Sequence, residues 1–182
     1  MTDEELKQLV ASLAIAHQET EKEVKKLVIA QQETDVQLKK LGKLVGNISN
    51  NQGDIAEEFF YRSFKRHPVL NNIHFDNVSR HLKNCIKGIE DEYDIVLING
   101  DCVAIIEVKA KAHVNDLEKM IAKKVINFPL LFSHYKDYKL YAGVATLVSN
   151  SELIEKAREL GLFLITQQGK HTAIVNNGKL LH

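Results

Sequence analysis

Apolar residues in the first fifty positions recur at three- and four-residue spacing, with no proline and no glycine before Gly42. This spacing predicts a continuous helix. One seam position runs Leu6, Leu13, Thr20, Leu27, Thr34, Leu41, Ile48, and Leu9, Ala16, Val24, Ala30, Leu38 and Leu44 supply the other side with a one-residue drift. The run Ile15-Ala16-His17-Gln18-Glu19-Thr20 returns fourteen residues later as Ile29-Ala30-Gln31-Gln32-Glu33-Thr34, a repeat of two heptads. A helix of roughly 45 residues extends about 65 Å, more than the remaining chain could cover. Burial of the stripe by self-association is therefore expected, giving a homo-oligomer through residues 6–48; folding back onto the chain's own domain is the alternative.

The pattern changes after a polar stretch at Asn47 to Gly53, which predicts a break. Asp54 to Arg66 has helical spacing, with Ile55, Phe59, Phe60, Tyr61 and Phe64 as its apolar face and Pro68 as its stop. Strands are predicted over Ile73–Leu82, Glu92–Ile98 and Cys102–Lys109, the last two joined by Asn99-Gly100, a two-residue hairpin signal. Asn115–Phe128 reads as helix, Leu140–Val148 as strand, Ser151–Leu160 as a helix capped by Ser151 and ended by Gly161, and Leu162–Thr166 as strand. A short edge strand is expected near Thr172–Val175. The order predicts an α/β sandwich with a central mixed sheet flanked by helices. Residues 1–50 form a coiled-coil oligomerisation helix and residues 51–182 the globular domain.

The formal charge is zero, so any binding of nucleic acid must rest on local patches. Charge is segregated: Arg62, Lys65, Arg66, Arg80, Lys83 and Lys87 face only Asp76 in one run, and Glu90, Asp91, Glu92, Asp94, Asp101 and Glu107 face only Lys109 in the next. Cys85 and Cys102 form no CxxC pair, which points away from a disulfide framework or a zinc site and toward reduced thiols in a cytoplasmic protein. The apolar stretch Val10 to Ala16 follows acidic residues and is too short to span a bilayer, so no membrane partner is expected. No Gly-rich nucleotide motif is present.

With Asn99 and Gly100 as the loop, Asp94 falls opposite Ile105 and Glu92 opposite Glu107, so Asp94, Glu107 and Lys109 project on one face. Asp94 and Glu107 then stand roughly 7 Å apart along a diagonal. Both faces of the hairpin are otherwise apolar, the mark of a strand pair covered on both sides. Charges at the end of such a strand need a partner, either one another or a metal. A structural ion cluster at the strand end is the competing account.

Asp94, followed thirteen residues later by Glu107-Val108-Lys109, resembles the motif of the PD-(D/E)XK nuclease superfamily. Glu57, in Gly53-Asp54-Ile55-Ala56-Glu57-Glu58-Phe59-Phe60, matches the family's first-helix acid, and Ala157 to Ile165 is similar to the helix and strand that close its restriction-endonuclease-like fold. The resemblance covers residues 51 to 176, and the whole chain resembles members that carry heptad-repeat helices ahead of the domain. Tyr93 stands where many members have proline, and Glu58 beside Glu57 and Glu92 beside Asp94 leave two assignments open. The resemblance implies a metal-dependent nuclease hydrolysing phosphodiester bonds, with DNA the expected partner. Asp94, Glu107 and the carbonyl of Val108 would hold Mg²⁺ or Mn²⁺, Glu57 would bind a water of that ion or a second ion, and Lys109 would orient or help deprotonate the attacking water. Arg62, Lys65, Arg66, Arg80 and Lys83 would meet the phosphate backbone, and Gln167 could contact substrate. A nuclease-fold module that binds nucleic acid or acts as a scaffold without turnover is the alternative.

Overall fold

The computed structural model describes residues 2–169 and 171–181, without side-chain detail at 5–7, 9–12, 14–16 and 41–50. Two compact units divide the chain, Met1–Ser49 and Asn50–His182.

In the first unit the backbone is helical, as the start of α1 (Asp3–Arg66). Every side chain from 17 to 40 is exposed in the single chain, including Val24, Leu27, Val36 and Leu38. Among the described residues the stripe from 17 to 40 thus finds no cover within its own unit. The seam positions Leu6, Leu9, Ala16, Leu41, Leu44 and Ile48 lie outside the side chains described. The break expected at Asn47 to Gly53 does not occur: those residues are helical. One glycine costs a helix only about 1 kcal/mol, so Gly53 alone is a weak stop.

The second unit is built on a six-stranded mixed sheet. Its strands are β3 (Asn77–Ile86), β4 (Ile89–Ile98), β5 (Cys102–Lys111), β6 (Lys139–Val148), β7 (Phe163–Gln168) and β8 (His171–Asn176), adjacent in that order. Pairing is antiparallel except for the parallel pairs β5–β6 and β6–β7. A separate two-stranded ribbon, β1 (Val69–Leu70) with β2 (Ile73–His74), takes the start of the region expected to be one long strand. Lys87 and Gly88, both at positive φ, make the two-residue turn between β3 and β4, the geometry that the strand twist favours.

Helices cover both faces of the sheet. On one face Ala56, Phe60 and Phe64 of α1, spaced by four, pack on Ile95, Leu97, Ala104, Ile106 and Phe163. Ile55, expected on that face, is 64% exposed, because the buried stripe runs through Ala56 instead. On the other face α2 (Val114–Lys119), a π-helical segment (Met120–Val125) and α3 (Ile126–Leu131) follow one another without a break. Together with α4 (Ser151–Leu160) they cover Val96, Val103, Ile105 and Val144. The helix passes Phe128, its expected end, with Pro129 inside it, and the Lys124 carbonyl one turn back accepts from the Tyr93 hydroxyl at 2.9 Å. For α4 the cap is Asn150, whose side chain accepts from the Leu153 N–H at 2.8 Å, and not Ser151.

The β4–β5 hairpin departs from the two-residue loop. Ile98 pairs with Val103, and the Asn99 side-chain oxygen accepts from the N–H groups of Asp101 and Cys102. Asn99 thereby folds the turn on its own side chain and lengthens it by two residues. A shift of two leaves Ile95–Ile98 and Val103–Ile106 on their expected faces. Among the described residues no helix is long and apolar enough to cross a membrane.

Candidate functional site

The site lies where the sheet forks. The β4–β5 ladder ends at Ile95 opposite Ile106, while β4 continues its pairing with β3 and β5 with β6. Beyond the fork, the Val108 N–H donates to Asp94 Oδ2 at 2.7 Å in place of a backbone carbonyl. Strand β4 turns over at the same point: Tyr93 packs with Phe128 on one face of the sheet and Ile95 with Phe60 on the other. His81, across from Asp94, has φ of 52° and drops out of the β3–β4 pairing. Local distortions of this kind re-aim side chains beside functional sites.

Asp94 has no ion-pair partner among the described residues. Burial raises its pKa, the nearby Glu107 and Glu57 charges raise it further, and the Val108 N–H and Lys109 only partly offset them, so it is pushed up to about 6. Glu57 on α1 is also raised, first by burial and then by Asp54 and Glu107, against His81 and Lys109. These mutual effects place Glu57, Asp94, Glu107 and Lys109 within electrostatic reach of one another. Lys109 Nζ donates to Glu107 Oε1 at 2.8 Å; burial disfavours its charge, but the Glu107 contact outweighs that and holds its pKa above the ordinary lysine value. Lys109 is therefore an ammonium in this state.

Two cavities open at the fork. One, of about 320 Å³, is lined by Asp54, Glu57, Glu58, Arg80, His81 and Asp94. The other, of about 210 Å³, lies among Glu107, Lys109, Asp116 and the lysines 119, 123 and 124 of the helix opposite. The neighbours left open in the sequence separate by environment. Glu58 is bound by Arg62 and by Arg80 at 2.8 Å, with its pKa lowered by the Arg62 hydrogen bond first, and Glu92 is an exposed partner of His81 at 3.2 Å. Glu57 and Asp94 pair with no lysine or arginine among the described residues.

Sequence reasoning missed two residues. Lys124, on the π-helical segment, reaches Glu107 Oε2 at 3.1 Å and Asp91 Oδ1 at 3.4 Å, donates to the Glu92 carbonyl, and lies 5.2 Å from the Tyr93 ring centroid. His81 stands between Glu57 at 3.7 Å and Glu92. The π segment was the hidden signal for Lys124: helical spacing alone does not show which way that lysine points.

The basic run is divided by the fold. Arg80 stacks over the Tyr61 ring at 4.9 Å and holds Glu58, Lys65 lies 5.8 Å from that ring, and Lys83 pairs with Glu90 at 2.7 Å. Arg62 and Arg66 line a separate groove with Gln167.

Among the described residues no three His, Cys, Asp or Glu side chains form a ready metal cage. A hard cation nevertheless suits the donors at the fork: the half-buried Asp94 carboxylate has no ion-pair partner among the described residues, and Glu107 is the next acid on the facing strand.

No family model matches the chain, and no curated protein does. Solved structures that resemble it include a Vibrio cholerae protein, 19% identical over 61% of this chain and 28% of that one, with a TM-score of 0.40. The small subunit of the heterodimeric restriction endonuclease R.BspD6I is 16% identical over 62% of this chain and 61% of its own, with a TM-score of 0.38. A FdxN element excision controlling factor protein from Anabaena variabilis is 14% identical over 68% and 99%, with a TM-score of 0.42. The chain thus spans less than two thirds of the first two. Likeness at this level carries no argument about chemistry, which rests on the residues at the fork.

Proposed function

We propose that the chain is a metal-dependent nuclease of the PD-(D/E)XK type that hydrolyses phosphodiester bonds, with DNA as its substrate. One observation carries the reading: Asp94 is a half-buried carboxylate with no ion-pair partner among the described residues, held by the Val108 N–H at the fork of the sheet beside Glu107 and Lys109. A carboxylate kept in that condition stabilises nothing by itself, and a divalent ion would relieve it.

Asp94, Glu107 and the Val108 carbonyl would hold Mg²⁺ or Mn²⁺, with Glu57 serving a water of that ion or a second ion. When bound, the ion would supply Lewis-acid stabilisation of charge building on a phosphodiester. Lys109, an ammonium against Glu107, would orient the attacking water and donate toward the phosphate rather than take its proton. Lys124 would hold the second oxygen of Glu107.

The exposed stripe of the N-terminal helix supports assembly as a homo-oligomer through residues 6–48. Two domains carried on one coiled coil would act at raised effective concentration on two strands or two segments. Light scattering at micromolar concentration should find an oligomer that Leu27→Glu with Leu38→Glu dissociates, and a monomeric wild type would end this part of the reading.

The deciding experiment is calorimetric titration of Mg²⁺ and Mn²⁺ into wild type, Asp94→Ala, Glu57→Gln and Glu58→Gln, followed by incubation with plasmid and linear DNA. Metal binding and cleavage by wild type and Glu58→Gln, lost in Asp94→Ala and weakened in Glu57→Gln, is the expected result. If wild type neither binds metal nor cuts, the fork is a structural ion cluster and the chain a binding module.

A further inference from the structure

A groove of about 420 Å³ lies between the last turns of α1 and the β7–β8 hairpin, with Phe59, Arg62, Arg66, His67, Gln167 and His171 along its wall. No carboxylate is among the described residues that line it. Arg62 shares Glu58 with Arg80, whereas Arg66, His67 and His171 have no acidic partner among the described residues. Arg66, a cation with no acidic partner among the described residues, attracts a polyanion to this wall.

The groove has more than charge. Phe59 is half-buried, and its ring is fixed edge-on against Phe60 at 5.1 Å, which gives a base a rigid apolar surface. The Gln167 side chain donates to the Gly169 carbonyl at 2.8 Å, which pins an amide at the rim. Basic side chains interleaved with an aromatic ring form the combination that tracks a nucleic-acid strand.

Position along α1 ties this groove to the acid cavity. Glu57 and Glu58 line that cavity, and Arg62 reaches back to Glu58. From Glu57 the helix rises about 7 Å to Arg62 and about 13 Å to Arg66. A duplex strand sets one phosphate per about 3.4 Å of axis, so the span corresponds to two to four phosphates.

We infer that this groove holds the sugar–phosphate backbone of a nucleic-acid strand two to four phosphates away from the bond presented at Asp94. The link to cleavage rests on the proposed nuclease activity; the binding itself does not.

The test is fluorescence anisotropy with a labelled single-stranded oligonucleotide and its duplex, in EDTA and over a range of salt. It compares the full chain with Arg66→Gln, Arg66→Glu and, as a distant surface control, Lys136→Gln, each checked for an unchanged melting temperature. Arg66→Gln should weaken binding about five- to tenfold and reduce the salt slope by about one, and Arg66→Glu should weaken it further. Lys136→Gln should match wild type. Whichever probe binds more tightly identifies the strand form taken. Equal affinity across wild type and both Arg66 variants overturns the inference, as does failure of wild type to bind either probe at about 100 µM, the weak end of non-specific binding. Adding Mg²⁺ separates the two readings: Arg66-dependent binding without cleavage keeps the groove and removes the nuclease, and cleavage with Arg66-independent binding does the reverse.

Discussion

Two aspartates three residues apart on β4, Asp91 buried and Asp94 half-buried, are provided for in opposite ways. Asp91 accepts a hydrogen bond from Asn127 at 2.8 Å and has Lys123 and Lys124 at 3.4 Å each. Burial raises its pKa, but the Asn127 bond and the two lysines outweigh that and leave it lowered. Asp94 has a single backbone N–H and two neighbouring carboxylates, and is raised. The same residue type on the same strand is in one place a finished structural contact and in the other an unmet demand for positive charge. Burial therefore does not mark a site; burial without compensation does.

The largest effect expected from this contrast is kinetic. Lys109→Ala should lower DNA cleavage about 10²- to 10⁴-fold while calorimetry still finds the metal bound, since the carboxylates remain. A variant that cuts as well as wild type would take Lys109 out of the orientation of water and phosphate. Next comes Asp91→Ala, which takes the acceptor from Asn127 and one partner from Lys124, still held by Glu107, and should cost about 1.5–3 kcal/mol in chemical denaturation; a loss below about 0.5 kcal/mol would erase the distinction between the two aspartates.

Asp94→Asn should do the opposite and stabilise the metal-free protein. The folded-state pKa of about 6 lies above the ordinary 3.8, so the folded chain holds this proton more tightly than the unfolded one. The penalty for the charge is absent below pH 3.8 and grows as pH rises, reaching its full size above about 6. The gain from Asp94→Asn should approach about 1–3 kcal/mol near pH 8 and vanish by about pH 3.5. Asp91, being lowered, gives the reverse slope: its contribution is present at neutral pH and is lost as acid protonates it. Melting curves of both variants across pH read these slopes directly. The smallest effect is Asn127→Ala, expected to cost about 1–2 kcal/mol and to carry Asp91 part of the way toward the condition of Asp94.

Much of this arrangement was legible in the sequence, and what was missed has identifiable causes. Alternation set which side chains share a face from Ile95 to Ile98 and from Val103 to Ile106, and there it survived a two-residue error in register because the strand period is two. Ahead of Ile95 it failed, since β4 turns over and Asp94 lines the cavity of Glu57 while Glu107 and Lys109 line the other. The error came from Asn99, whose side chain competes for the turn in a way a two-residue signal does not convey. Lys87-Gly88 was an overlooked turn signal. Lys124 and His81 were beyond reach, since one depends on a π segment in a helix of ordinary composition and the other on a histidine forced to positive φ. Glu57 and Glu58 could not be ranked without knowing that Arg80, twenty-two residues on, folds back onto Glu58.

The bond from the Val108 amide to Asp94 has a spectroscopic consequence. A main-chain proton that rests on a carboxylate, rather than on a neighbouring strand, changes its resonance whenever that carboxylate gains a proton, takes up an ion or turns away. Val108 thus provides a native reporter inside the fork, and in uniformly nitrogen-15-enriched protein its cross-peak would follow occupancy of the site without any foreign group being attached there.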